Sequence, residues 1–331
     1  MKTIIALALI IVSGIMVWYF SRDLQTAEHK DKLQKVTVGN TAGYPNLAIL
    51  AEEKGYFEKN GLNVSFRDYE KPMIKDLIEE KIDIVSATAE FVVVRNIFNE
   101  KDLQIVASVS TQQNQWEVVG RRDKNIQNIG DLKGKTIAVQ RGTAGEFFLA
   151  EFLLFNNLRM SDITVVDLEL KPRMEQLTRG QIDAVVILSP YTQQMKNTLG
   201  ENAISWPAQA GRSIYSLSYT TERFVKEHPD IIERYLRALI AAEAFVSSNE
   251  TEARKIMQNK LRFNDNDIQA LWPIFNFEVK LEQELLPVMG DQARWAITNK
   301  ITDQKKVPDY LDFIYFDGLK KIKPEAITII H

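Results

Sequence analysis

Two Thr-Ala-Gly segments, Thr41-Ala42-Gly43 and Thr143-Ala144-Gly145, each stand between a β-branched apolar run and a run with helical spacing. A helix that starts where a strand ends offers free N–H groups and a partial positive charge. In open α/β sheets, ligands bind beyond such strand ends. The glycines of the two segments, Gly43 and Gly145, would let the backbone turn tightly and approach a ligand closely, and Gly142 directly precedes the second threonine. Thr41 and Thr143 can cap a helix or donate to a ligand, and the two roles compete. Arg141 can meet an anionic group through its planar guanidinium, or simply pair with Glu146. Ser86, Thr88 and Glu90 follow the run Ile82 to Val85, and Ser189 and Tyr191 follow its counterpart Ile182 to Leu188. Ser189-Pro190 also reads as an N-cap followed by proline at the first helical position. Tyr44 and Tyr191 can wall a ligand or pack in the core. Asp83 and Asp183 are expected to satisfy backbone groups at strand starts rather than to form an acid pair.

Other chemistries lack their residues. The sequence has no Gly-x-Ser-x-Gly, no complete dinucleotide glycine fingerprint, no Walker A loop and no His-Glu-x-x-His. His29, His228 and His331 have no catalytic context, and the cysteine count is 0. That excludes a thiol nucleophile, a thiolate metal site, a disulfide and a lipidated N-terminal cysteine. Neither catalysis nor a cofactor nor a metal is expected. The net charge of −3 gives no basic face for nucleic acid.

The elements that must carry these residues alternate. Runs at 35–39, 64–66 and 82–87 read as strands, with helices at 46–54, 73–80 and 90–99. The order restarts with strands at 135–139, 163–168 and 182–188 and helices at 146–156, 172–179 and 191–199. This βα succession predicts parallel sheets covered by helices. The two Thr-Ala-Gly segments match in order. So do Leu77, Ile82, Asp83 and Val85 with Leu177, Ile182, Asp183 and Val185. Duplicated architecture follows, as two lobes. The last third is helical in spacing, punctuated by Pro273, Pro287 and Pro308. It is expected to pack on the first lobe as a helical layer. Extended runs at 115–119 and 214–219 read as crossovers. They divide the chain into lobe one at 35–115 and 217–331 and lobe two at 116–216.

Ahead of the lobes, Lys2 precedes an uncharged apolar run from Ile4 to Phe20, which as a helix rises roughly 25 Å. Residues 1–22 read as an uncleaved signal anchor, with a cleaved signal peptide as the alternative. Lys2 favours an orientation that leaves the remainder outside the cytoplasmic membrane. Residues 23–34 read as a polar linker.

Three segments carry a family resemblance. They are Gly55-Tyr56-Phe57-Glu58-Lys59-Asn60-Gly61-Leu62-Asn63-Val64, then Ile129-Gly130-Asp131-Leu132-Lys133-Gly134-Lys135-Thr136-Ile137-Ala138-Val139, then Gly180-Gln181-Ile182-Asp183-Ala184 with Ser189-Pro190-Tyr191. The chain resembles the nitrate/taurine/alkanesulfonate group of ABC-importer solute-binding proteins, which shares a fold with the NMT1/THI5-like proteins. The resemblance implies a type II periplasmic-binding fold that closes on a small molecule. It also implies delivery of that molecule to an ABC permease and ATPase, by a protein expected to be a monomer. By motif position, ligand contacts would fall on Tyr44, Ser86 to Thr88, Gly142-Thr143 and Ser189 to Tyr191. Val185 and Leu188 stand where sulfonate binders often carry tryptophan, so the ligand class stays open between nitrate-, sulfonate-, taurine- and pyrimidine-like solutes. The competing readings are a tethered sensor for a membrane partner and an enzyme of pyrimidine or menaquinone metabolism on the same fold.

Overall fold

The structure, a computed structural model, describes residues 33–69, 73–100 and 102–330. The expected anchor and nearly all of the expected linker lie outside the described residues. Among those residues no helix is long and apolar enough to cross a membrane.

The first lobe opens with β1 (Gln34–Thr41), α1 (Leu47–Glu53), α2 (Tyr56–Lys59), β2 (Leu62–Tyr69), α3 (Ile74–Ile78), β3 (Ile84–Ala89), α4 (Glu90–Ile97) and β4 (Leu103–Gln112). The second comprises β5 (Trp116–Arg121), β6 (Thr136–Val139), α5 (Ala144–Phe155), β7 (Thr164–Asp167), α6 (Leu170–Thr178), β8 (Ala184–Leu188), α7 (Tyr191–Leu199) and β9 (Ala203–Pro207). The chain then returns through β10 (Ile214–Thr221), α8 (Glu222–Glu227), α9 (Pro229–Ser248), α10 (Glu250–Leu261), α11 (Asp265–Leu271), β11 (Phe275–Asn276), α12 (Leu285–Thr298) and α13 (Asp317–Ile322).

The first sheet runs β11-β4-β10-β3-β1-β2 and the second β7-β6-β8-β5-β9. In each, a parallel trio (β2-β1-β3, β7-β6-β8) is extended by an antiparallel strand that enters from a crossover, β10 in one sheet and β5 in the other. The duplication goes down to single side chains. Asp83 Oδ2 accepts from Thr37 N at 2.7 Å, and Asp183 Oδ2 accepts from Thr136 N at 2.8 Å. Both aspartates therefore satisfy strand backbone, as expected from their position.

The Thr-Ala-Gly match behaves differently. Thr41 is the last residue of β1, and Asn46 caps α1 by accepting from Ala48 N and Ile49 N. Thr143 is itself the N-cap of α5, so its alanine and glycine are the helix's first two residues. The left-handed turn glycines are Gly43 and Gly142, each at φ +68°. Gly145 is buried helix instead: a Cβ there would stand 2.8 Å from the Trp116 ring. The two segments share letters but are not equivalent positions, because the loop after β1 is longer than the loop after β6.

The C-terminal layer packs as expected from its spacing. In α9, Ile231, Ile232, Tyr235, Leu236, Leu239 and Ala242 are buried on one stripe, and Tyr235 stacks on Phe57 at 5.7 Å. Helix α12 begins at Leu285, just ahead of one of the punctuating prolines. Pro287 sits in its first turn, where no N–H is needed. Strand β4 escaped the sequence reading because Ser108 and Ser110 interrupt its apolar run, yet both serines are buried.

Candidate functional site

The two lobes are joined through residues 113–115 and 208–213, and Gln209 pins these crossovers to each other. Its Oε1 accepts from Gln115 N and from Trp116 N, while its Nε2 donates to Gln112 O at 3.2 Å and Arg212 O at 2.9 Å. Gln209 is fully buried. Nothing in its sequence context marked it out. Its role depends on two segments about a hundred residues apart lying side by side.

Carboxyl strand ends of each lobe meet the other lobe. Phe91, just after β3, joins the second lobe's core beside Phe147, and Trp295 of α12 packs on both rings at 5.8 and 5.7 Å. Arg95 Nη1 donates to Gly142 O across the lobes at 2.5 Å. Arg212 joins Glu151 of α5, at 3.2 Å, to Asp291 of α12, at 2.9 Å.

The expected site residues fall into two groups. In the first, the polar atoms are already engaged within the protein. Thr41 Oγ1 donates to Ala87 O at 3.0 Å, tying β1 to β3. Ser86 Oγ donates to Asn40 Oδ1 at 3.1 Å and is buried. Tyr44 Oη donates to Gln112 Oε1 at 2.9 Å and lies 3.0 Å from Ser216 Oγ. Burial pushes the Tyr44 hydroxyl pKa well above its ordinary range, so it stays protonated. Its ring, edge-on to Phe275 at 5.4 Å, remains half-buried. Arg141 is exposed, with its guanidinium 3.7 Å from Glu146, and Glu146 Oε2 accepts from Gly142 N at 2.7 Å. Thr143 Oγ1 donates back to Gln140 O at 2.6 Å rather than capping α5.

Glu90 is the most constrained of this group. It is 1% exposed, with Oε2 accepting from Tyr215 N at 2.8 Å and Oε1 from Gln292 Nε2 at 2.6 Å. It thereby joins the start of α4 to the return strand β10 and to α12. Burial pushes its carboxyl up to about 7, against the lowering pull of those two donors.

The second group keeps free capacity. Among the described residues the Thr88 and Tyr191 hydroxyls have no hydrogen-bond partner, and Tyr191 is half-buried. Helix α7 begins at Tyr191 with Pro190, in a cis peptide, as its N-cap. Ser189 therefore stands outside the capping position expected for it. Its hydroxyl pairs with Thr192 Oγ1 at 3.1 Å. Thr88 lies on the first lobe, Tyr191 on the second, both at strand carboxyl ends, with the Tyr44 ring and Gly142 beside the same ends. Such a set can surround a small molecule with aromatic walls and a few hydrogen bonds. Among the described residues no group of three or more metal-ligating side chains converges.

Two duplicated α/β lobes, tied by two short crossovers with strand ends turned toward each other, define a periplasmic-binding-protein fold. The chain belongs to the NMT1/THI5-like family, whose model matches residues 45–253. It is similar to a Bacillus subtilis (strain 168) protein named for aliphatic sulfonate binding. The two are 25% identical over 303 residues, which is 86% of this chain and 88% of that one. Its fold matches the periplasmic aliphatic sulphonate binding protein SsuA from Escherichia coli, with a TM-score of 0.72 and 18% identity over 85% of this chain and 97% of that one. It also matches the desulfurization enzyme DszB, with a TM-score of 0.63 and 14% identity over 87% of this chain and 98% of that one. The fold thus hosts both binding and catalysis, and the site must distinguish them.

Proposed function

We propose that this chain is a non-catalytic solute-binding protein that closes its two lobes around a small molecule and delivers it to an ABC importer. The reading places residues 35–115 and 217–331 in one jaw and 116–216 in the other. It places the chain outside the cytoplasmic membrane, tethered by residues 1–22, and working as a monomer with a permease and an ATPase. Thr88, Tyr191, Gly142 and the ring of Tyr44 would touch the solute.

The observation that carries it is the division of labour at the strand ends. Nearly every titratable group there is engaged in holding the lobes. Among the residues expected at the site, what is left free is a pair of neutral hydroxyls and aromatic surface, which suits recognition and supplies no general base to activate a nucleophile. Membership of the family and similarity to proteins named for sulfonate binding support the same reading.

Native mass spectrometry of the full-length protein tests it. One small molecule should be held per chain and released on denaturation. Adding that molecule at a hundredfold excess over its Kd should stabilise the fold by about 2.7 kcal/mol. A protein that retains nothing, and whose melting is unmoved by sulfonates, nitrate, amino acids, purines and vitamin pyrimidines, would refute the proposal.

A further inference from the structure

One charge near the second lobe's strand ends has no counter-charge. Arg173, in α6, is 3% exposed. Its Nη1 makes only a long 3.5 Å contact with Leu168 O, and its Nε is buried without a partner. Among the described residues no carboxylate pairs with it. Burial alone lowers its pKa to about 10, with no charged neighbour contributing. Leaving a guanidinium in a desolvated site without an anion is costly.

The fold itself does not need an arginine here. Arg173 stands four residues before Leu177, as Met73 stands four before Leu77, and both leucines are buried. Met73 fills the matching place in the first lobe as an apolar side chain, 4% exposed, over Gly39 of β1. The second lobe has put a cation where the first packs a thioether.

Its position points to the cleft. Leu168, whose carbonyl it touches, donates from its N to Val139 O, the last residue of β6, at 3.2 Å. The guanidinium therefore lies at the carboxyl edge of the sheet, next to the turn that carries Gly142. Arg141, the arginine that sequence alone favoured for an anion, is the exposed one and pairs with Glu146.

We propose that Arg173 is the anion anchor of the cleft, and that the solute carries a sulfonate or carboxylate whose oxygens accept from Nε and an Nη of this residue. The planar fork suits two such oxygens at once. This rests on the solute-binding reading above and adds the charge of the solute to it.

The test uses the full-length protein and two variants, Arg173→Met and Arg173→Lys, with 1-butanesulfonate, pentanoate and butyl methyl sulfone as probes. Thermal melting and calorimetry are read at constant ionic strength. Wild type should be stabilised by at least one anion and not by the neutral sulfone, and which anion wins identifies the head group. Arg173→Met should melt no lower than wild type without ligand, since it copies the first lobe, and should bind the anion at least tenfold more weakly. Arg173→Lys should fall between, keeping charge but losing the fork. Any of these results would overturn the anchor: no anion stabilises wild type, the sulfone does as well as the anions, Arg173→Met keeps its anion response, or Arg173→Met melts several degrees lower. An uncharged solute recovered by native mass spectrometry would sink the anchor while leaving the solute-binding function standing.

Discussion

At the scale of single residues, Glu90 shows how a carboxylate at a strand end can be structural. Both its oxygens accept hydrogen bonds from the protein, yet burial raises its pKa from 4.5 to about 7. A folded-state pKa above the unfolded one means that the native state holds the extra proton between those values. Stability from this group is therefore present at low pH and lost as pH rises through the folded pKa. Ionised Glu90 costs about 3 kcal/mol relative to its protonated form. Glu90→Gln should remove that dependence. Gln292 Oε1 is buried without a partner, so a flip of that amide would accept from the new Nε2. Urea denaturation should show wild type losing stability from pH 5 to pH 8 and the variant nearly flat, more stable at pH 8 by up to about 3 kcal/mol. A wild type that gains stability over that window would contradict the assignment.

At the scale of elements, the two Thr-Ala-Gly segments make opposite demands. Gly43 sits in an open turn at φ +68° with nothing near a would-be Cβ. Gly43→Ala should therefore cost only the left-handed conformation, about 1–2 kcal/mol. Gly145 lies in the first turn of α5 under Trp116, where a Cβ would also approach Val139 at 3.3 Å. Gly145→Val should cost about 2–3 kcal/mol by overpacking the junction of α5 with β5 and β6. Denaturation midpoints of the two variants separate backbone strain from crowding. Equal losses would mean that the segments are equivalent after all. The letter match was legible in the sequence, but its meaning depended on loop length, which decides whether a threonine ends a strand or stands at the start of a helix.

At the scale of the whole molecule, the lobes are held by contacts of different kinds. The Phe91–Trp295–Phe147 cluster is apolar, while the Arg95 contact with Gly142 O is a single exposed charge-assisted bond. Such a bond contributes on the order of 1–2 kcal/mol at most when water competes for it. Arg95→Ala should shift the lobes toward opening by up to about tenfold and leave the fold intact. Small-angle scattering of ligand-free protein should then give a larger radius of gyration for the variant, with an unchanged melting temperature. A lower melting temperature at constant radius would place Arg95 in the fold rather than in closure.

The amino-acid sequence by itself determined the alternation of strands and helices, the duplication into two lobes, the family, and the backbone role of Asp83 and Asp183. The first two and the aspartates are written in short-range periodicity or in a spacing preserved between the halves, and the family in three motif segments that resemble it. Only the tertiary structure decided which polar side chains are spent on the protein itself. Glu90, Thr41, Ser86 and the Tyr44 hydroxyl meet partners from 46 to 202 residues away, as in the bond from Gln292 to Glu90. The same holds for Gln209 between the crossovers and for Arg173, whose missing counter-charge exists only as a fact about its surroundings. A local pattern can name the residues at a strand end, but whether their hydrogen-bonding capacity remains free depends on neighbours that only folding supplies.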